Sequence, residues 1–113
     1  KSSQGQKQNW ETPEFWTTSP YLVESAGDWL IDRQVKTVGF DFPQDYVIRE
    51  LFHGKIPTLD DMIMHKMLLG ANILMIEYIT NMHLIKTDVF NLYAVPLKLE
   101  GISGAGARVF AIK

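Results

Sequence analysis

The sequence contains no cysteine. Disulfides and thiolate metal sites are therefore excluded within this chain. Any metal it holds must use histidine, carboxylate or water, which suits zinc, manganese or magnesium. No apolar run reaches the ~18 residues that a membrane span needs, and no signal-peptide pattern is visible. A cytoplasmic location with no membrane partner is the default expectation. Basic residues are not in excess: 11 Lys and Arg stand against 13 Asp and Glu, a net charge of -2. With no basic patch, nucleic acid is not an expected partner. The opening stretch KSSQGQKQNW lacks an initiator methionine and a hydrophobic lead-in. It reads as a chain entered partway along.

What is present suits one small domain over residues 1–113. A domain of this size buries roughly two-thirds of its unfolded surface. An apolar fraction of 46% with three tryptophans points to a packed core rather than disorder.

Residues 1–18 are polar, with Trp10, Phe15 and Trp16 scattered through them. No period is visible, so a loop is expected. Its aromatics either cap the core or line a pocket for an aromatic substrate, with Trp10 and Trp16 as wall residues. SPYLVESAGDWLIDR predicts a helix over 19–33, with Ser19 as N-cap and Pro20 in the first turn. Leu22, Val23, Ala26, Trp29 and Leu30 share one face of it. VKTVGF, 35–40, reads as a buried strand. DFPQD follows at its carboxyl end, where ligands often sit in α/β sheets. Asp41 and Asp45 are therefore candidates, although Asp45 also suits the N-cap of the short helix YVIRELF.

TLDDMIMHKMLL, 58–69, predicts the next helix, opened by a Thr58–Asp61 capping box and closed by Gly70. NILMIEYI, 72–79, predicts a strand. VFNLYAVPLKLE, 89–100, predicts a long strand, with Pro96 forcing an edge or a bulge. GISGAGA connects it to a last strand, RVFAI. The fold class is α/β, a mixed sheet with a C-terminal antiparallel strand pair.

Few motifs carry chemistry. GISGAG lies between strands and opens no helix, so it is not a phosphate loop or a nucleophile elbow. His53 and His83 read as exposed. His65 differs, because apolar residues flank it on its helix, with Met64 and Met67 close by. Glu77 shares a strand face with Ile73, Met75 and Ile79. A carboxylate on such a face needs a partner or a metal. Spacing argues against a direct meeting. His65 stands ~7 Å back from the turn at Gly70. Glu77 stands ~20 Å beyond that turn if the chain is extended, so the two miss by more than ~10 Å in a flat packing. They meet only if the helix crosses obliquely or the turn is displaced.

HKMLLGANILMIEYITN followed by VFNLYAVPLKLEGISGAGARVFAI resembles the C-terminal half of the metal-dependent cyclase family, which includes bacterial kynurenine formamidase and isatin hydrolase. The elements of the resemblance are His65, Gly70, Glu77 twelve residues after the histidine, Asn81, PLKLEG and GARVFAI, in that order. The stretch before Asp41 is similar to the helix and strand that precede the family's central aspartate. The resemblance implies a swivelling β/β/α-type domain and a metal-dependent hydrolase of amides or cyclic amides. It implies His65 and Glu77 as metal ligands, zinc or manganese as the metal and a small-molecule amide substrate. A homo-oligomer is expected on separate grounds, since so apolar a chain needs the missing half or a second subunit to cover its sheet. The family's H-x-G-T-H-x-D stretch, with the catalytic histidine after it, does not occur in these residues. The resemblance therefore implies an incomplete domain that is not active alone. A non-catalytic binding or assembly protein of the same fold is the alternative, and an unrelated α/β domain the third.

Overall fold

The computed structural model describes residue 2 and residues 8–112. Residues 1, 3–7 and 113, the first six of which belong to the segment expected as a loop, lie outside the described residues. The chain divides into two units, Lys1–Met82 and His83–Lys113.

The first unit is built from helices and a parallel strand pair. Its elements are α1 (Pro13–Thr18), α2 (Glu24–Asp32), β1 (Thr37–Phe40), a 3-10 helix (Tyr46–His53), α3 (Ile63–Gly70) and β2 (Leu74–Glu77). β1 and β2 pair in parallel, with Phe40 opposite Glu77. The ladder runs one bond further, because Ile79 N–H donates to the Phe40 carbonyl at 2.7 Å. The Glu77–Tyr78 peptide is cis.

α1 was not expected. Pro13 sits in its first turn, where a missing N–H costs nothing, and Glu14 faces the positive end of the dipole. Ser19 therefore ends α1 instead of opening α2, and its hydroxyl donates to the Phe15 carbonyl. Residues 20–23 lie outside any helix, and Leu22 N–H is taken by the Gln44 carbonyl at 2.9 Å. The expected apolar face of α2 is also rotated. Trp29 and Val23 are exposed, with the Arg33 guanidinium 3.9 Å over the Trp29 ring. Leu30 and Ile31 turn inward instead.

α2 and α3 end alike. After α2, Val35 N–H bonds to Leu30 O and Gln34 N–H to Ile31 O, with Gln34 at φ 52. After α3, Ile73 N–H bonds to Leu68 O and Asn72 N–H to Leu69 O, with Asn72 at φ 58. Both are Schellman ends with a left-handed residue followed by an apolar one. The left-handed position after α3 is thus Asn72, two residues beyond the expected Gly70. Each end folds the chain back, so each helix delivers a strand to the same parallel pair.

The core lies between α2, α3 and the strands. Phe40, Met64, Leu68 and Ile73 form its buried cluster, and Met64 and Leu68 are 0% exposed. Each such side chain contributes about 1.5–3 kcal/mol by leaving water. Gly27 faces α3: a Cβ there would stand 2.9 Å from Met67 Cε. The glycine that costs α2 helix propensity is what lets the methionines of α3 pack against it.

The second unit holds β3 (Asn91–Pro96) and β4 (Ala107–Ile112), an antiparallel pair. Pro96 closes the ladder opposite Ala107. The glycine-rich segment 101–106 connects the strands, as expected. Tyr93 and Phe110 face each other across the ladder and stack, with centroids 5.1 Å apart and planes at 6°. Among the described residues the strands form two separate pairs, one parallel and one antiparallel, where one mixed sheet was expected. The α/β class and the C-terminal antiparallel pair stand. No helix among the described residues is long and apolar enough to cross a membrane.

Candidate functional site: a histidine between two carboxylates

The polar cluster of the first unit sits at the carboxyl ends of β1 and β2, where α/β sheets tend to place ligand sites. β1 ends at Phe40 and leads into DFPQD. β2 ends at Glu77 itself. α3 brings His65 in its first turn.

The structure joins His65 and Glu77. His65 Nε2 lies 3.5 Å from Glu77 Oε2, with the two side chains 22% and 24% exposed. The expected separation fails because the chain between them is not extended. From His65 to Ala71 the helix runs ~9 Å. Residues 71–73 form the Schellman reversal, so the strand starts only at Leu74. From Leu74 to Glu77 it climbs ~10 Å back along the helix. The two lengths cancel, and the end of the strand comes level with the start of the helix.

Asp45 holds the other side of the ring. Its Oδ2 lies 2.6 Å from His65 Nδ1. Its Oδ1 accepts the Met64 N–H of α3 at 2.6 Å, and the side chain is 1% exposed. Asp45 does occupy the N-cap position of the 3-10 helix, but its side chain makes no cap bond there. It caps α3 from a distance in sequence. The expected box at the start of α3 works differently too. Thr58 N–H and Oγ1 both donate to Asp61 Oδ2, at 2.9 and 2.8 Å, in a turn that precedes the helix. Lys55 adds an ion pair at 2.7 Å, and these bonds hold the Asp61 carboxyl well below the usual carboxylate range.

Gln44 completes the cluster. It is 1% exposed, and its Nε2 donates to Glu77 Oε1 and reaches Asp45 Oδ2 at 3.5 Å. Its Oε1 is buried with no hydrogen-bond partner among the described residues. Gln44 is hard to single out from sequence, because a neutral amide does not titrate. The one available signal was its place inside DFPQD, between two residues already singled out. Asp41 is also buried, but the bonds to His65 and to α3 run through Asp45.

The two carboxylates raise the His65 pKa to about 9, first through the Asp45 hydrogen bond and then through Glu77, against the cost of burial. Beside them, burial and the charges of Glu77 and Asp45 push the Tyr78 phenol above its ordinary value. The Trp16 ring meets Tyr78 edge-on at 5.7 Å. Trp16 is therefore next to the cluster. Trp10 is 65% exposed and reaches it only through its carbonyl, which accepts the Trp16 indole N–H at 2.8 Å. His53 and His83 are exposed.

A divalent ion fixes the spacing of the donors that hold it. Two donors at ~2.1 Å from one tetrahedral ion stand ~3.4 Å apart. The 3.5 Å between His65 Nε2 and Glu77 Oε2 matches that spacing. A nitrogen and a carboxylate oxygen also suit zinc or manganese. Among the described residues, no group of three or more His, Asp or Glu side chains could hold a metal ion. A three-ligand catalytic site would need further donors beyond this pair. No family model, curated protein or solved structure matches the chain.

Proposed function

We propose that this chain is the C-terminal portion of a divalent-metal hydrolase of amides or cyclic amides, of the arylformamidase and cyclase kind, with a swivelling β/β/α fold. The observation that carries the reading is the meeting of His65 and Glu77 at 3.5 Å, at the carboxyl ends of two parallel strands. His65 Nε2 and the Glu77 carboxylate would hold the ion, zinc or manganese. The remaining ligands would come from the family's H-x-G-T-H-x-D stretch in the intact protein. Held there, the ion would supply Lewis-acid chemistry, acidifying water and polarising a carbonyl.

The chain's own residues prepare the place. Gln44 donates to Glu77 Oε1, while Oε2 is the oxygen 3.5 Å from His65 Nε2, and so holds that carboxylate in orientation. Trp16 and Tyr78 form an aromatic wall beside it, which suits an aryl amide. Two ligands do not complete a catalytic set, so this portion alone is inactive. The intact protein works as a homo-oligomer in this reading.

A second reading, a non-catalytic binding or assembly protein of the same fold, draws on a different observation. Each ring nitrogen of His65 faces a carboxylate oxygen of this chain, Nδ1 at 2.6 Å and Nε2 at 3.5 Å, an arrangement that also serves as a structural ion pair. Hydrolysis of an N-formyl arylamine by the intact protein separates the two. The hydrolase reading expects turnover that stops on chelation and returns with zinc or manganese. No turnover by metal-loaded protein overturns it and leaves the second reading.

A further inference from the structure

We infer that Asp45 is the positioning residue that selects the His65 tautomer, fixing the proton on Nδ1 and turning the Nε2 lone pair toward Glu77. The inference rests on the metal-site reading and deepens it.

A neutral His65 has one ring proton to place, and the shorter of its two carboxylate contacts decides where it sits. His65 Nδ1 and Asp45 Oδ2 are 2.6 Å apart. At that distance a proton must lie between them, since two lone pairs would repel. Gln44 Nε2 stands 3.4 Å from the same nitrogen, but it cannot donate there while Nδ1 carries a hydrogen. The Gln44 amide is oriented by the same logic. Its nitrogen faces carboxylate oxygens of Glu77 and Asp45, where its own oxygen would be repelled. With Nδ1 protonated, a neutral His65 has its free lone pair on Nε2, the nitrogen 3.5 Å from Glu77. A carboxylate behind a ligating imidazole fixes its tautomer and raises its basicity.

Asp45 is suited to this by its second bond. Its other oxygen accepts Met64 N–H, one residue before His65. The carboxylate is thus locked to the backbone of the helix that carries the histidine. One carboxylate thus holds both the backbone of that helix and the ring it carries.

The test uses Asp45→Asn in the full chain. The amide oxygen of that variant can still accept Met64 N–H, so the cap survives and the fold is checked by circular dichroism. Its amide nitrogen, however, donates to Nδ1. Long-range ¹H–¹⁵N correlation spectra, taken above the pH at which His65 becomes neutral, read the tautomer directly. The expected result is Nδ1–H in the unaltered protein and Nε2–H in the folded variant. Titration with zinc should show affinity lowered about 10–100-fold in the variant. Nε2–H in the unaltered protein, or one tautomer shared by both, overturns the inference. If the unaltered protein binds no zinc, the metal reading fails, and the spectra alone still decide whether Asp45 sets the tautomer.

Discussion

In the first unit, side chains distant in sequence meet: Asp45, His65 and Glu77 converge from a loop, a helix and a strand end. In the second, Tyr93 stacks on Phe110 across a ladder whose strands are joined by one glycine-rich connection. Every residue of β3 is exposed, whereas the first unit buries Met64 and Leu68 completely. The difference shows where each order originates. The hairpin follows from alternation and a turn, which are local. The polar cluster follows from two helix reversals and a parallel pairing, which are not. The polar cluster lies in the unit that needs long-range packing to exist.

Three changes would break or sharpen that contrast. The largest effect is expected from Leu68→Ala, at a fully buried position whose carbonyl also accepts the Ile73 N–H. It should destabilise the first unit by about 2–5 kcal/mol. All three tryptophans lie in residues 1–82, so urea denaturation followed by their fluorescence reads this unit. A shift under about 1 kcal/mol would mean that the cluster does not depend on the core behind it.

The next effect depends on pH. Folding raises the His65 pKa from 6.5 to about 9. In metal-free protein the ion-pair stabilisation is therefore fully present below 6.5 and lost as pH rises through about 9. Melting temperatures in chelator should fall over that window, and His65→Gln should remove the fall. Loaded zinc should oppose the trend, because a ligating histidine must be deprotonated.

The smallest effect is Phe110→Ala, which removes a stacked cross-strand pair worth about 0.5–1.5 kcal/mol beyond its burial. Amide exchange in β3 and β4 should quicken, with the tryptophan transition unmoved. Equal movement of both would show that the two units unfold as one, and the contrast between them would lapse.

Much of the fold was legible where signals are local. The positions of β1 to β4, the glycine-rich connection and the existence of α2 and α3 follow from apolar pattern and turn residues. Helix ends were less legible. Gly70 looked like the left-handed residue, yet Asn72 takes that role. Asparagine tolerates the conformation, and Ile73 behind it supplies the apolar contact of a Schellman end. That two-residue difference hid the site. A turn at Gly70 with the chain extended after it puts His65 and Glu77 more than ~10 Å apart. Ser19 misled for a similar reason, since a serine before a proline opens helices but also closes them. Asp45 drew notice as a cap, and it is one, for the helix that carries His65. Spacing cannot show which helix a side chain caps once the chain has folded back.

The most direct test of the central claim is the divalent-metal content of the intact protein and of its Glu77→Ala form, by native mass spectrometry. If His65 and Glu77 are joint ligands, the intact protein carries zinc or manganese, and the folded variant loses it. A variant that keeps its full metal content would contradict the account.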